Sequence, residues 1–277
     1  MKDKSDLHQV LLRLPKTIVF LFAIYALLML WGIVVNLLNL PEDHDLRIWF
    51  ADLYWVLPFG GAIYGFSSSR QWGGHTSALG KSILLFAGGM LLQALGQIFY
   101  SIYAHVFFVE APYPSLGDIG FFGSIPLYIG GLWYLGKVLN LSKSLKLTKN
   151  FLLVVGVITL LLSSSYFIFL KDYDIAEISV LQSVLDFGYP LGQSLYVGMA
   201  SLVYMLSVGM LGGKLRSRVL LLLLALFTQY LADFIFLFRI SRDIFVVGGI
   251  SDMLYLTAYF LMAVSLVLFN PREEALK

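Results

Sequence analysis

Apolar runs of about 20 residues, separated by short polar segments, recur along the whole chain. Each is long enough to cross roughly 30 Å of hydrocarbon at about 1.5 Å per residue. The pattern predicts spans at 17–40, 48–67, 80–108, 116–137, 150–170, 177–211, 216–238 and 246–269. The expected fold is an all-α polytopic transmembrane bundle of about eight spans. A basic N-terminal segment (1–16) precedes a single transmembrane domain (17–270), and a short tail (271–277) follows it. The first run is too long for a signal-peptide core and no small-residue cleavage pattern follows it, so it reads as a retained span.

Composition agrees. The chain is 59% hydrophobic and 13% charged, about half the charge share of a soluble domain. It has no cysteine, so neither a disulfide framework nor a thiol nucleophile is expected.

Charge placement orients the spans. Of the 19 Lys and Arg residues, only Arg47, Lys171, Arg239 and Arg242 fall on the side opposite the termini. The side richer in basic residues is cytoplasmic, which predicts a multi-pass protein of the cytoplasmic membrane with both termini inside. The acids sort the other way. Apart from Asp3, Asp6, Glu273 and Glu274, all lie in external loops or in the outer halves of spans.

The spans also repeat. "QALGQIFYSIY" (93–103) aligns with "QYLADFIFLFR" (229–239), and without a gap Asp118 then falls on Asp252 and Phe121 on Tyr255. Aligning "SIPL" (124–127) with "GYPL" (188–191) puts Ser115 on Ser179 and Asp118 on Gln182. The first pair contributes only "ADLYWVLPFG" (51–60). Such self-similarity predicts a bundle built from repeated helical hairpins.

Two kinds of polar position emerge. Ser115-x-x-Asp118 and Ser179-x-x-Gln182 have capping-box spacing, and Asp252 and Asp52 read as caps by analogy. Asp186, Asp233, Gln93, Gln97 and Gln229 lie too deep for capping. A carboxylate at that depth normally faces the bundle interior or water. Gln93/Gln97 and Gln229/Asp233 are each four apart and share a helix face. One reading is hydrogen bonding that glues hairpins together. The other is an outer-half polar pocket holding Asp186, Asp233, Gln97, Gln229 and Gln93. Tyr189 and Tyr255 would supply hydroxyls there, and Arg239 would be either an internal ion-pair partner or turned to water. Pro58, Pro126 and Pro190 lie within even-numbered spans, where each would free a carbonyl, either as a packing kink or as part of a site.

The four histidines are scattered, no HExxH pattern, nucleophile elbow or P-loop is present, and the span interiors contain no lysine. No enzymatic activity, metal or cofactor is expected.

The strings "YPSLGDIGFFGSIPLYIGGLWYLG" (113–136), "LDFGYPLGQSLYVGMASL" (185–202), "LADFIFLF" (231–238) and "GGISDMLYLTAYFLMAVSLVLF" (248–269) resemble the multi-spanning N-terminal membrane regions of bacterial signalling proteins, often joined to diguanylate cyclase or histidine kinase domains. That group often carries an Asp at the position of Gln193, where this chain departs. The resemblance implies a sensory or ligand-binding module. Only "NPREEALK" follows the last span here, so its expected partners are the lipid bilayer and a separate cytoplasmic signalling protein, not nucleic acid. The alternative is a transporter of a small solute or cation, suggested by the hairpins, prolines and intramembrane acids.

Overall fold

The computed structural model describes residues 15–109, 111–140, 146–171, 179–210, 213–240, 242 and 244–271. The N-terminal segment before Pro15 and the tail beyond Pro271 lie outside the described residues.

All regular structure among the described residues is helical. In chain order the helices are α1 (Lys16–Leu37), α2 (Asp45–Leu53), α3 (Val56–Gln71), α4 (Ala78–Ile102), α5 (Leu116–Val138), α6 (Thr148–Ser165), α7 (Val180–Met210), α8 (Gly213–Ile240) and α9 (Ile250–Leu268). One π-helical turn, Tyr103–Phe107, extends α4, and another, Tyr166–Leu170, extends α6. Six stretches are long and apolar enough to cross a membrane: α1, α4 with its π turn, α5, α6, α8 and α9. The expected spans at 48–67 and 177–211 fall outside that set. The first is broken at Tyr54–Trp55 into helices of 9 and 16 residues. The second is the 31-residue α7, which carries Gln182, Ser183, Asp186, Gln193 and Ser194 and whose last three residues have no described side chains.

Neighbouring helices pack as α4 with α5, α6 with α7, and α8 with α9, the three hairpins that the repeat predicts. The first pair is different. α3 packs on α4 and α9, while α1 lies chiefly along α9 and barely touches α3. Its aligned similarity is correspondingly weak.

Small residues set the closest crossings. A Cβ on Gly120 of α5 would meet the backbone of Leu92 and Gly96 on α4, with the Gly96 Cα only 2.9 Å away. On α3, a Cβ at Gly61 would lie 2.8 Å from the Ala263 Cβ, and one at Gly65 would lie 2.7 Å from the Ala87 Cβ. Backbones approach closely here because glycine leaves room, which is how helices associate when lipid removes the hydrophobic drive between them.

Pro126 and Pro190 sit inside α5 and α7 as expected. Pro58 does not interrupt a helix. It is the third residue of α3, in the first turn, where backbone N–H groups have no intrahelical acceptor to lose.

At the end of the bundle carrying the α3–α4 and α5–α6 connections, buried serines donate to backbone carbonyls of neighbouring elements. Ser68 bonds Leu266 at 2.8 Å, Ser69 bonds Gly80 at 2.8 Å, Ser82 bonds Gly131 at 2.8 Å and Ser265 bonds Arg218 at 3.0 Å. Trp72 Nε1 donates to the Phe269 carbonyl at 2.6 Å, closing the end of α9. These bonds satisfy carbonyls without building a side-chain cluster.

Candidate functional site

The opposite end, which carries the α4–α5 and α8–α9 connections, holds the acids, and four of them share one chemistry. Each accepts a hydrogen bond from a tyrosine on another element. Tyr189 Oη donates to Asp118 Oδ1 at 2.9 Å, Tyr113 to Asp186 Oδ1 at 2.6 Å, Tyr255 to Asp233 Oδ1 at 2.7 Å, and Tyr54 to Asp252 Oδ1 at 3.0 Å. A phenol suits this role because its ring is apolar enough to bury while its hydroxyl reaches the carboxylate.

Capping accounts for part of this layer. Asp118 Oδ2 accepts the Ser115 N–H at 2.8 Å, and Ser115 Oγ accepts the Gly117 N–H at 3.1 Å, forming a capping box at the start of α5. Ser179 Oγ accepts the Gln182 N–H at 3.1 Å in the first turn of α7. Asp252 does half of this work. Its Oδ2 accepts the Gly248 N–H at 2.7 Å, but Gly249 at the cap position has no side chain to return a bond. Asp52 is no cap. It lies near the C-terminal end of α2, whose cap is the imidazole of His44, bonded by the Leu46 N–H at 3.1 Å. Asp52 instead pairs with His105 at 2.6 Å, and Trp49 stacks on that imidazole at 4.1 Å. The π turn at the end of α4 carries His105 into this position.

The residues expected to form one pocket fall into separate groups. Gln229, Asp233 and Tyr255 come together: Gln229 Nε2 lies 3.3 Å from Asp233 Oδ2. Gln93 stands beside them. Its Oε1 accepts from Tyr259 Oη at 2.7 Å, its Nε2 donates to Ser124 Oγ at 2.7 Å, and Tyr259 stacks along α9 against Tyr255 with centroids 6.2 Å apart. A polar chain thus runs from α8 through α9 and α4 to α5. Gln97 is elsewhere, donating to the Ala51 carbonyl at 2.9 Å and tying α4 to α2. Asp186 and Tyr189 are held in the two rim pairs with Tyr113 and Asp118. Arg239 makes no ion pair with Asp233. His105 and Asp52 form an ion pair at 2.6 Å, and the Arg239 Nε is buried without a hydrogen-bond partner among the described residues. Arg239 lies six positions beyond Asp233, more than one and a half helical turns, so it does not share Asp233's face.

Arg47 was not anticipated as a site residue. It is 3% exposed and donates to the Val247 carbonyl at 3.0 Å, while Asn36 Nδ2 donates to the Gly248 carbonyl at 2.8 Å. Together they clamp the turn whose Gly248 N–H feeds Asp252. Tyr54, Tyr113, Tyr259 and His105 were likewise missed. The signal was available only as a surplus of tyrosine, 16 residues in all, since nothing in the chain pairs a given phenol with a given acid across 71 or 198 positions.

Among the described residues no group of three or more His, Cys, Asp or Glu could hold a metal ion. The arrangement is a layer of carboxylates held by neutral donors, with a polar chain leading from it into the bundle. No protein-family model matches the chain, and no curated protein or solved structure matches it either.

Proposed function

We propose that the protein is an eight-span sensory or ligand-binding module of the cytoplasmic membrane, with both termini inside and its polar site in the outward half, working through a separate signalling partner. In this reading α2–α3 and α7 are the two spans beyond the six apolar ones. α2–α3 is a broken helix in the manner of membrane segments whose freed backbone is buried in protein. The basic bias toward the terminus side supplies the orientation.

The observation that carries the reading is the asymmetry between the two ends. Acids, tyrosines and glutamines bond across helices at the end assigned as outward, in several pairs and one polar chain running from α8 to α5. At the other end, buried serines bond only to carbonyls and the helices close on glycine and alanine. Polar side chains gathered at one end and not continued to the other suit detection better than passage. Transport would call for a second polar path inward.

The test is ion and proton flux in proteoliposomes holding the purified protein, followed with sodium- and pH-sensitive dyes under an imposed gradient. The sensory reading predicts flux no greater than in empty vesicles. Flux that Asp233→Asn abolishes would establish the transporter instead.

A further inference from the structure

At the end of the bundle opposite the acid layer, two cations share one aromatic ring. Lys81 Nζ of α4 lies 5.3 Å from the ring centroid of Tyr134 on α5, and Lys137 Nζ lies 4.7 Å from the same centroid. Lys137 Nζ also stands 5.7 Å from the centroid of Trp133. All three separations are within cation–π range. The two ammonium groups are therefore within about 10 Å of each other, a distance that physiological salt only partly screens. Ring faces hold cations in place but carry no net charge, so the pair still repels.

The chain supplies no local acid to neutralise it. No Asp or Glu occurs in 53–109 or in 119–171. The α3–α4 and α5–α6 connections, which frame this end, lie wholly within those stretches. Lys81 also stands in the opening turn of α4, where the helix dipole opposes a cation and no acid accompanies it.

Apolar surface continues from the cations into the membrane. α4 and α5 are both long and apolar enough to cross it. α4 starts at this end and α5 returns to it, so Leu84 lies about one turn deeper than Lys81, and Trp133 about one turn deeper than Lys137. Their side chains are 36% and 41% exposed. Cations at the boundary above exposed apolar groups match a molecule that is anionic at one end and apolar at the other.

We propose that Lys81, Lys137, Tyr134 and Trp133 form a binding site for the headgroup of an anionic phospholipid, with its acyl chains along Leu84 and Trp133. Lysine binds phosphate as a point charge, and basic pockets between membrane helices on the cytoplasmic side take anionic headgroups. A zwitterionic lipid would bring a cation of its own to the lysines. Free phosphate shares the charge but leaves the apolar surface uncovered. The site goes beyond the sensory reading and requires only that α4 and α5 cross the membrane.

The experiment is a melting series on the purified full-length protein in detergent. It is titrated with phosphatidylglycerol, with phosphatidylcholine of the same acyl chains, and with inorganic phosphate at equal ionic strength. At about ten times its half-saturating concentration, phosphatidylglycerol should raise the melting temperature by about 3–6 °C, and the other two by less than about 1 °C. Replacing both Lys81→Gln and Lys137→Gln should shift the half-saturating phosphatidylglycerol concentration upward about tenfold or more, and Lys137→Gln alone about fivefold. Lys146→Gln, at an exposed cation of the same end outside the cluster, should leave it unchanged. If the double variant does not fold, the exposed Lys137→Gln decides the matter. An equal rise with phosphatidylcholine would overturn the site, as would no rise with phosphatidylglycerol. An equal rise with inorganic phosphate would assign a soluble anion instead. Weakening by Lys146→Gln as large as that by Lys137→Gln would show diffuse charge rather than a site. None of these results bears on the flux assay, so loss of the lipid site and loss of the sensory reading are distinguishable.

Discussion

The hydroxyl of Tyr255 on α9 donates to Oδ1 of Asp233 on α8 at 2.7 Å, across the crossing of one helical hairpin. The bond ties the two helices and holds the carboxylate in place. Tyr255→Phe removes the donor and leaves the acid with its weak contact to Gln229, so stability should fall by about 1–3 kcal/mol. Tyr204→Phe on α7, where the side chain is 54% exposed, should change it by less than about 0.5 kcal/mol. Thermal melts of both variants in one detergent check the contrast.

Asp118 has two separable roles, the box at the start of α5 and the bond from Tyr189 of α7. Asp118→Asn retains much of the capping ability and should lower stability by about 0.5–2 kcal/mol. In a double-mutant cycle, Asp118→Ala and Tyr189→Phe should be non-additive by about 1 kcal/mol or more, because either change leaves the other group without its partner. Strict additivity would mean that the 2.9 Å bond contributes nothing.

The capping half of Asp118 could be read along the chain, because Ser115 and Asp118 are three residues apart and the motif is local. The same holds for the pairing of neighbouring helices, which the aligned short strings suggested and the packing shows. Asp52 was misread because its resemblance to Asp118 is one of composition. Its true partner, His105, reaches it only through a π-helical turn, which no periodicity announces. The pocket dissolved into groups for a related reason. Span boundaries give only a position along each helix, not the rotation about its axis. Asp186 and Asp233 bond to different tyrosines, Tyr113 and Tyr255. Arg47, the buried guanidinium of the layer, looked like an ordinary loop cation.

Backbone contact between α4 and α5 at Gly96 and Gly120 leaves no space for a side chain. Gly120→Val should destabilise by about 1–3 kcal/mol or block folding, since no side chain can move to accommodate it. Gly60 on α3 has nothing within 4 Å of an added Cβ, so Gly60→Ala should be neutral or slightly stabilising. Expression and size-exclusion profiles, followed by melting, distinguish the two.

His105 holds the end of α4 against α2 through Asp52. Removing either member leaves the other partly buried and unpaired, so His105→Ala and Asp52→Ala should each cost about 1–3 kcal/mol. The double variant should cost less than the sum. Trp49 loses its stacked neighbour only in the variants lacking the imidazole, so its fluorescence should change with His105→Ala and not with Asp52→Asn.

Everything proposed about an outward polar layer depends on which end of the bundle faces out, and a chain without cysteine permits a direct measurement. Single cysteines at the exposed positions His75, Lys146, Lys171 and Arg242 can be labelled in intact cells and in inverted vesicles with a membrane-impermeant maleimide. The account predicts that Lys171→Cys and Arg242→Cys react in intact cells, and that His75→Cys and Lys146→Cys react only in inverted vesicles. Labelling of Lys146→Cys from outside intact cells would contradict both the eight-span count and the outward placement of the Asp233 layer.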